Sequence, residues 1–246
     1  RYQLVDMTSA DRTVLGTFDD RVTTYFPGYA VTSNYDGWNS DTANTLYDLA
    51  SGEQTPLYDV NTTTGSVAVY AADGALRVYD SSTGAVLTDT TVEPIPQQKK
   101  ARISNEGDGY VWLELWDNDN YETTATRVYG PEGLVSDLTR LQDTYSYLNY
   151  LTTTPEGKPL FYGTRDAVGS AYGTVSDVLD ADGNVVIPGL GSCYGYYSNS
   201  LNGLPEHTFA ASRGFYYGWM DTAGNWIYCQ SIFTTVNADD DSNYGV

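Results

Sequence analysis

The sequence predicts an all-β chain built from repeated hairpins, and three observations predict it. A short phrase, a strand running into a tight turn of Asp and Gly, keeps returning in altered form along the 246 residues. Its copies lie about 43 residues apart on average, a repeat period that suits four short strands per unit. No stretch carries a convincing helical period.

The copies follow in order. Leu4-Val5-Asp6-Met7-Thr8-Ser9 continues the strand candidate Tyr2-Gln3-Leu4-Val5. Leu46-Tyr47-Asp48-Leu49-Ala50-Ser51-Gly52 is the second, and Val78-Tyr79-Asp80-Ser81-Ser82-Thr83-Gly84 the third. Val128-Tyr129-Gly130-Pro131-Glu132-Gly133 is a looser fourth. Val178-Leu179-Asp180-Ala181-Asp182-Gly183-Asn184 and Trp219-Met220-Asp221-Thr222-Ala223-Gly224-Asn225 close the series. Asp binds backbone amides ahead of it and Gly supplies positive φ at no steric cost, so each copy reads as a hairpin. A further strand candidate precedes most of them: 65–70, 110–116, 160–162 and 208–212. The segment from Gly133 to Asn149 spaces Leu134, Leu138, Leu141 and Tyr145 at four, three and four, which fits either one short amphipathic helix or a polar connection.

Four-stranded sheets of this kind cannot bury both faces alone. Stacked around an axis, each covers the next, and closure removes exposed edges. The expected fold is therefore a six-bladed β-propeller, with 1–246 as a single domain. Thr234 to Val246 would complete the first blade. Seven blades, should Thr154-Pro155-Glu156-Gly157 mark another hairpin, and an open stack of hairpins are the alternatives.

Net charge is −20 with three lysines, which argues against nucleic acid, since phosphate binding needs Lys and Arg to displace counterions. It also argues against anionic membrane surfaces, and no apolar run approaches the ~20 residues of a membrane span. Acidity keeps an exposed protein soluble. The low Lys count and abundant Tyr and Thr suggest an extracellular or cell-surface bacterial protein. The start at Arg1, inside a motif, suggests a processed piece of a longer surface protein. Cys193 and Cys229 lie near the ends of the last two hairpins; they either form a disulfide between neighbouring blades or remain two buried thiols.

The last two hairpins resemble the bacterial WG-repeat family. Gly218-Trp219 matches its Trp–Gly or Gly–Trp step, and Ile187-Pro188 its hydrophobic strand ending in Pro. The resemblance covers about 50 residues; the earlier copies lack the signature. It implies a surface or binding role and supplies no catalytic set.

Chemistry-bearing residues are few. The sole histidine, His207, sits in a polar loop, and no G-x-S-x-G elbow exposes a serine. Paired carboxylates are the enzyme chemistry the composition allows, with Asp19, Asp20, Glu114, Asp117, Asp119 and Asp177 among the acids. Calcium is a weak cofactor candidate: Asp117, Asp119 and Glu122 come nearest to an oxygen-rich loop, and 180–184 and 237–243 are also oxygen-rich. Aromatic loops are the leading binding candidates. Trp38 and Tyr35 lie in a polar loop, and Tyr194, Tyr196 and Tyr197 in a Gly-rich one. Trp112, Trp116, Trp219 and Trp226 read as packing between sheets. The expectation is a non-catalytic recognition or scaffolding module that meets a protein or glycan partner through loops at one end. A glycoside hydrolase and a structural spacer are the alternatives.

Overall fold

The computed structural model of the chain describes residues 1–8, 11–34, 43–92, 99–107, 109–117, 123–170, 173–194 and 205–231. Among them every regular element is a β-strand except one short 3-10 turn. The chain forms two compact units, Arg1–Thr139 and Arg140–Val246.

The first unit opens with β1 (Tyr2–Val5) paired antiparallel to β2 (Val14–Phe18). A seven-stranded sheet follows in chain order: β3 (Arg21–Phe26), β4 (Tyr29–Ser33), β5 (Asn44–Asp48), β6 (Gln54–Thr63), β7 (Ser66–Ala71), β8 (Ala75–Asp80) and β9 (Val86–Thr91). It is two four-stranded meanders sharing one strand. Residues 54–57 of β6 pair with β5 and residues 57–63 with β7, with a register shift between Leu57 and Asp59. The next sheet is β10 (Lys99–Gly107), β11 (Tyr110–Asp117), β12 (Thr123–Gly130) and β13 (Gly133–Asp137).

The second unit holds two sheets of four. One is β14 (Tyr147–Thr153), β15 (Pro159–Asp166), β16 (Thr174–Leu179) and β17 (Val185–Leu190). The other is β18 (Ser192–Tyr194), β19 (Thr208–Arg213), β20 (Tyr216–Asp221) and β21 (Trp226–Ser231). Every pairing is antiparallel between chain neighbours, as the hairpin repeat predicts. The turn at 154–157 joins β14 to β15 inside a sheet and does not begin an extra unit. Between Gly133 and Asn149 the chain makes β13, the 3-10 turn Thr139–Leu141 and the start of β14, so the connection wins over the helix. Thr234 to Val246 lies outside the described residues.

The packing explains why some strands alternate and others run apolar. All six residues of β7 are buried. Val67, Val69 and Ala71 join a core with Phe26, Val31, Leu46 and Tyr79. Ala68 and Tyr70 join a second core, with Leu76 and Val78 from their own sheet and Ile103, Val111, Leu113 and Tyr129 from the next. A strand covered on both faces needs no polar side, hence Ser66-Val-Ala-Val-Tyr-Ala71. The second unit repeats the scheme: Leu160, Tyr162, Val178 and Ile187 of one sheet pack against Cys193, Phe209, Ala211 and Met220 of the other. Adjacent sheets are also joined by polar bonds. The Ile103 amide of β10 donates to Asp59 Oδ2 of β6 at 2.8 Å. The repeat reaches side chains too: Arg77 Nε meets its register partner Asp89 at 3.1 Å, and Arg127 Nε meets its partner Asp137 at 3.2 Å.

Candidate functional site

The β20–β21 hairpin is set by its turn. Asp221 Oδ1 accepts from the amides of Ala223 at 3.0 Å and Asn225 at 2.8 Å, and the Asn225 amide group donates to Asp221 Oδ2 at 3.1 Å. Asp180 makes the same set with Asp182 and Asn184, at 3.0, 2.8 and 3.1 Å. The Asn that follows the Gly in both copies is therefore part of the device, a detail the Asp–Gly reading passes over. Burial works against the charge of Asp221, but the Asn225, Ala223 and Gly224 bonds outweigh it and hold the carboxyl below its ordinary range.

Within this hairpin the two faces differ. On one face Phe209, Ala211 and Met220 enter the core, and Trp226, the partner of Met220, packs on it half-buried. Gly218 stands in this row. A Cβ there would collide with the backbone of Tyr228 and Cys229, so only Gly lets β21 lie so close. Trp219 follows and projects to the other face, since successive residues of a strand alternate. That face carries Tyr217 paired with Gln230 and Trp219 paired with Tyr228, with Ser212 and Ala210 across on β19. Tyr217 is 45% and Tyr228 48% exposed, much as Tyr2, Tyr25, Tyr58, Tyr147 and Tyr216 are elsewhere. The Trp219 and Tyr228 ring centroids are 5.9 Å apart with planes at 53°. Tyr217 Oη donates to Gln230 Oε1 at 2.8 Å, and Gln230 Nε2 donates to Tyr228 Oη. Beyond Ser212, Ser192 shares a hydroxyl contact with it at 2.9 Å. The result is an aromatic and amide row, with Asp221 as its charged member, that can stack a ring and exchange hydrogen bonds.

Two acidic clusters lie elsewhere. In β10 the Glu106 side chain is 9% exposed, and burial, with Glu114 nearby as a second charge, pushes its carboxyl up to about 7. Glu114 accepts from Trp112 Nε1 at 3.2 Å and faces Arg102 in register. Two carboxyls with unlike surroundings are the pattern of an acid and base pair. In the second unit Asp177 is buried at a register shift of β16. Burial opposes its charge, but Arg165 Nε at 2.6 Å, the Gly189 amide at 2.8 Å and Tyr145 Oη at 3.2 Å hold it below the ordinary range. All of its oxygens are engaged, which marks a structural knot.

The residues expected to bind fall unevenly. Trp38, Tyr35, Tyr196 and Tyr197 lie outside the described residues, as do Asp119, Glu122 and the acidic run 237–243. Tyr194 ends β18 opposite Ala210, and Asp117 ends β11 opposite Lys99. Asp19 and Asp20 sit in the turn between β2 and β3, where Asp19 meets Arg1 at 3.4 Å in full exposure. His207 takes a positive φ of 58° and places Nδ1 2.9 Å from the Thr153 carbonyl oxygen. Both readings of the cysteines, a disulfide between neighbouring blades and two buried thiols, are corrected. Both thiols are free and belong to opposite outer strands of one sheet, three strand spacings or ~14 Å apart, beyond the reach of a disulfide. Cys193 is buried, which pushes its thiol up to about 12, and Cys229 is exposed. Trp112 is buried as expected, and Trp219 is half-buried beside the Tyr228 ring. Tyr217, Tyr228 and Gln230 were passed over in the sequence, although strict alternation through 216–219 and 227–230 puts them on one face with Trp219.

Among the described residues no helix is long and apolar enough to cross a membrane. No curated protein matches the chain. Among solved structures, the N-terminal domain of Nup159 is similar at 9% identity and a TM-score of 0.34, covering 85% of this chain and 67% of that one. The computationally designed Ika8 protein matches at 11% identity and a TM-score of 0.25, covering 84% of this chain and 60% of that one. The designed Ika4 protein matches at 12% identity and a TM-score of 0.25, covering 73% and 93%. This chain thus spans less than two thirds of the length of Ika8. A family model described as a domain of unknown function, DUF5046, matches residues 1–240.

Proposed function

This chain belongs to the DUF5046 family, and we propose that it is a non-catalytic recognition or scaffolding module, exposed outside the cell and built as a six-bladed β-propeller. The sheets support this blade count with four full sets of four strands in chain order, a fifth made by sharing β6, and the β1–β2 pair read as part of a sixth. The kinship with WG repeats is part of the same proposal and rests on Gly218-Trp219, where Gly permits close strand approach and Trp faces outward. The observation that carries the binding role is the exposed face of Tyr217, Trp219, Tyr228 and Gln230. A surface this aromatic is costly to leave wet unless something covers it, a partner in an open stack of sheets or the first sheet in a closed ring. The reading moves the contact from the loops to a sheet face. Calcium remains a proposal attached to Asp117, Asp119 and Glu122.

One observation favours a second reading. Glu106, pushed up to about 7 with the Glu114 charge nearby, is the raised carboxyl that a glycoside hydrolase would use as its acid. The test is a glycan array with and without calcium, run beside a glycosidase substrate panel and a pull-down with surface-protein extract. Saturable binding lost in Tyr228→Ala, with no turnover, is the expected result. Turnover abolished by Glu106→Gln would overturn it in favour of the hydrolase. Silence on all three arms would leave the spacer.

A further inference from the structure

We propose that the outer edge of β21 is a self-association interface. It pairs antiparallel with β21 of a second copy of this chain, about a two-fold axis at Cys229. Stacking sheets face to face, in an open stack or a closed ring, covers faces and leaves this edge accessible. The pairing goes beyond the recognition reading and does not depend on what the aromatic row binds.

The molecule supplies its own comparison. Four sheets end in chain order on an edge strand, β9, β13, β17 and β21, with no strand beyond it among the described residues. Such an edge is a template for another strand, and proteins blunt it with charge or proline. β9 carries Asp89 and β13 carries Asp137, with side chains 57% and 43% exposed. β17 carries Pro188, which has no N–H to offer. β21 reads Trp226-Ile-Tyr-Cys-Gln-Ser231, without charge, proline or glycine, and five of its six residues are exposed. A register shift against the inner neighbour occurs in all four, so it does not set β21 apart. The guard that three edges carry is missing from the fourth.

The occupant is a second copy because the strand is its own complement. The register shift in β21 falls between Trp226 and Tyr228, so the regular stretch begins at Tyr228. In an antiparallel pair related by a two-fold axis, the residue on the axis faces itself. An axis at Cys229 sets Tyr228 of each copy opposite Gln230 of the other. That pairing already exists inside the sheet, where Tyr217 stands opposite Gln230 and donates to its Oε1 at 2.8 Å. An amide oxygen accepts twice, so Gln230 Oε1 can also take the Tyr228 hydroxyl of the other copy.

Charge fits the same occupant. A charged edge residue would meet its own image across the axis, and like charges directly opposite destabilise a pair. β21 has none. The net −20 of each copy repels the other as a whole, and salt screens that repulsion over ~8 Å at physiological strength. An edge this short buries well under the ~1,200 Å² of a standard interface. The dimer is therefore expected to be reversible, with a dissociation constant between about 10 µM and about 1 mM.

Sedimentation velocity of the whole chain in reductant, from about 5 to about 500 µM, tests this. A monomer–dimer equilibrium is expected, tightened about threefold or more between low and high salt. Cys229 is exposed, so its variants are expected to fold, and unchanged melting checks that they do. Cys229→Ser is expected to keep the dimer within about twofold. Cys229→Lys sets two ammonium groups face to face and is expected to weaken it by ~10-fold or more. Glutathione disulfide reads the register, since opposed Cα atoms ~4.5–5.5 Å apart suit a disulfide. One Cys229 thiolate displaces a glutathione to form a mixed disulfide. The thiolate of the other copy then displaces the second glutathione and leaves a Cys229–Cys229 bond. A covalent dimer absent from Cys229→Ser is expected. A monomer at every concentration would overturn the inference, as would a dimer weakened by salt or indifferent to Cys229→Lys. A dimer that never cross-links would overturn the axis at Cys229. A different protein held by the wild type and lost with Cys229→Lys, while the chain stays monomeric, would overturn the second copy as occupant. Cys229 projects to the opposite side from Tyr228, so these variants leave the aromatic row in place and test it separately.

Discussion

Glu106 is the side chain whose protonation reaches furthest into stability. Its folded carboxyl titrates near 7, against an ordinary 4.5, because burial and the Glu114 charge both disfavour ionisation. The folded protein therefore holds a proton between those values that the unfolded chain has released. Stability from this group is complete below pH 4.5 and falls as pH rises through 7, by about 3 kcal/mol in all. Glu106→Gln removes the titration, so its stability relative to wild type is expected to improve steadily from pH 4.5 to 8 in urea unfolding. Two curves that stay parallel would show that the carboxyl is hydrated. Asp80 works in the opposite sense. The Ser82 hydroxyl and the Thr83 amide are the leading causes that hold it at about 2, so its contribution is present above its ordinary 3.8 and is lost as acid takes pH down towards 2. Asp80→Ala is expected to flatten the acid limb of a pH–stability curve and leave the alkaline limb alone. The Asp80 role is legible in the sequence, because Asp four residues before Gly is turn chemistry. The Glu106 role is not: Ser104-Asn-Glu-Gly107 reads as a polar strand end, and its burial depends on a register shift in β10.

At the scale of elements, each hairpin turn has a local and a tertiary part, and glycine substitution separates them. Gly52 and Gly84 share nearly the same backbone, φ 75° and 73°. Open space surrounds Gly52, whereas a Cβ on Gly84 would strike the Pro27 carbonyl of the β3–β4 turn. Gly52→Ala is expected to cost about 1–2 kcal/mol, the strain of positive φ alone. Gly84→Ala is expected to cost clearly more, read as a larger fall in the thermal midpoint. Equal losses would mean that the two turns do not touch. The sequence reveals the first part through the Asp-to-Gly spacing. It conceals the second, since nothing in Ser81-Ser-Thr-Gly84 announces Pro27. The aromatic face follows the same rule. Alternation in β20 and β21 was available to reading, but which parity faces water was decided by Phe209 and Met220 on the core side.

For the whole molecule, the question is whether units 1–139 and 140–246 melt together. A closed propeller has no free end at which to begin, so it is expected to unfold in one transition. Leu113→Ala in the first unit and Phe209→Ala in the second are each expected to cost roughly 2–5 kcal/mol and to move that single transition. A second transition, shifted by one variant and untouched by the other, would sink the closed-ring reading. The antiparallel order of neighbouring strands was legible because the repeat recurs.

The shared strand β6 has an evolutionary consequence. Where two repeats are joined by a separate connection, as across 138–146, evolution can lengthen or shorten the join and leave both neighbours in register. At β6 the last strand of one repeat is the first strand of the next, so no join exists to edit. One residue inserted beside Leu57 would turn Val60 and its row out of the core and bring the opposite row in, damaging a whole repeat at once. The first two full repeats are thus expected to keep a fixed spacing among relatives, and length variation should gather at the other boundaries.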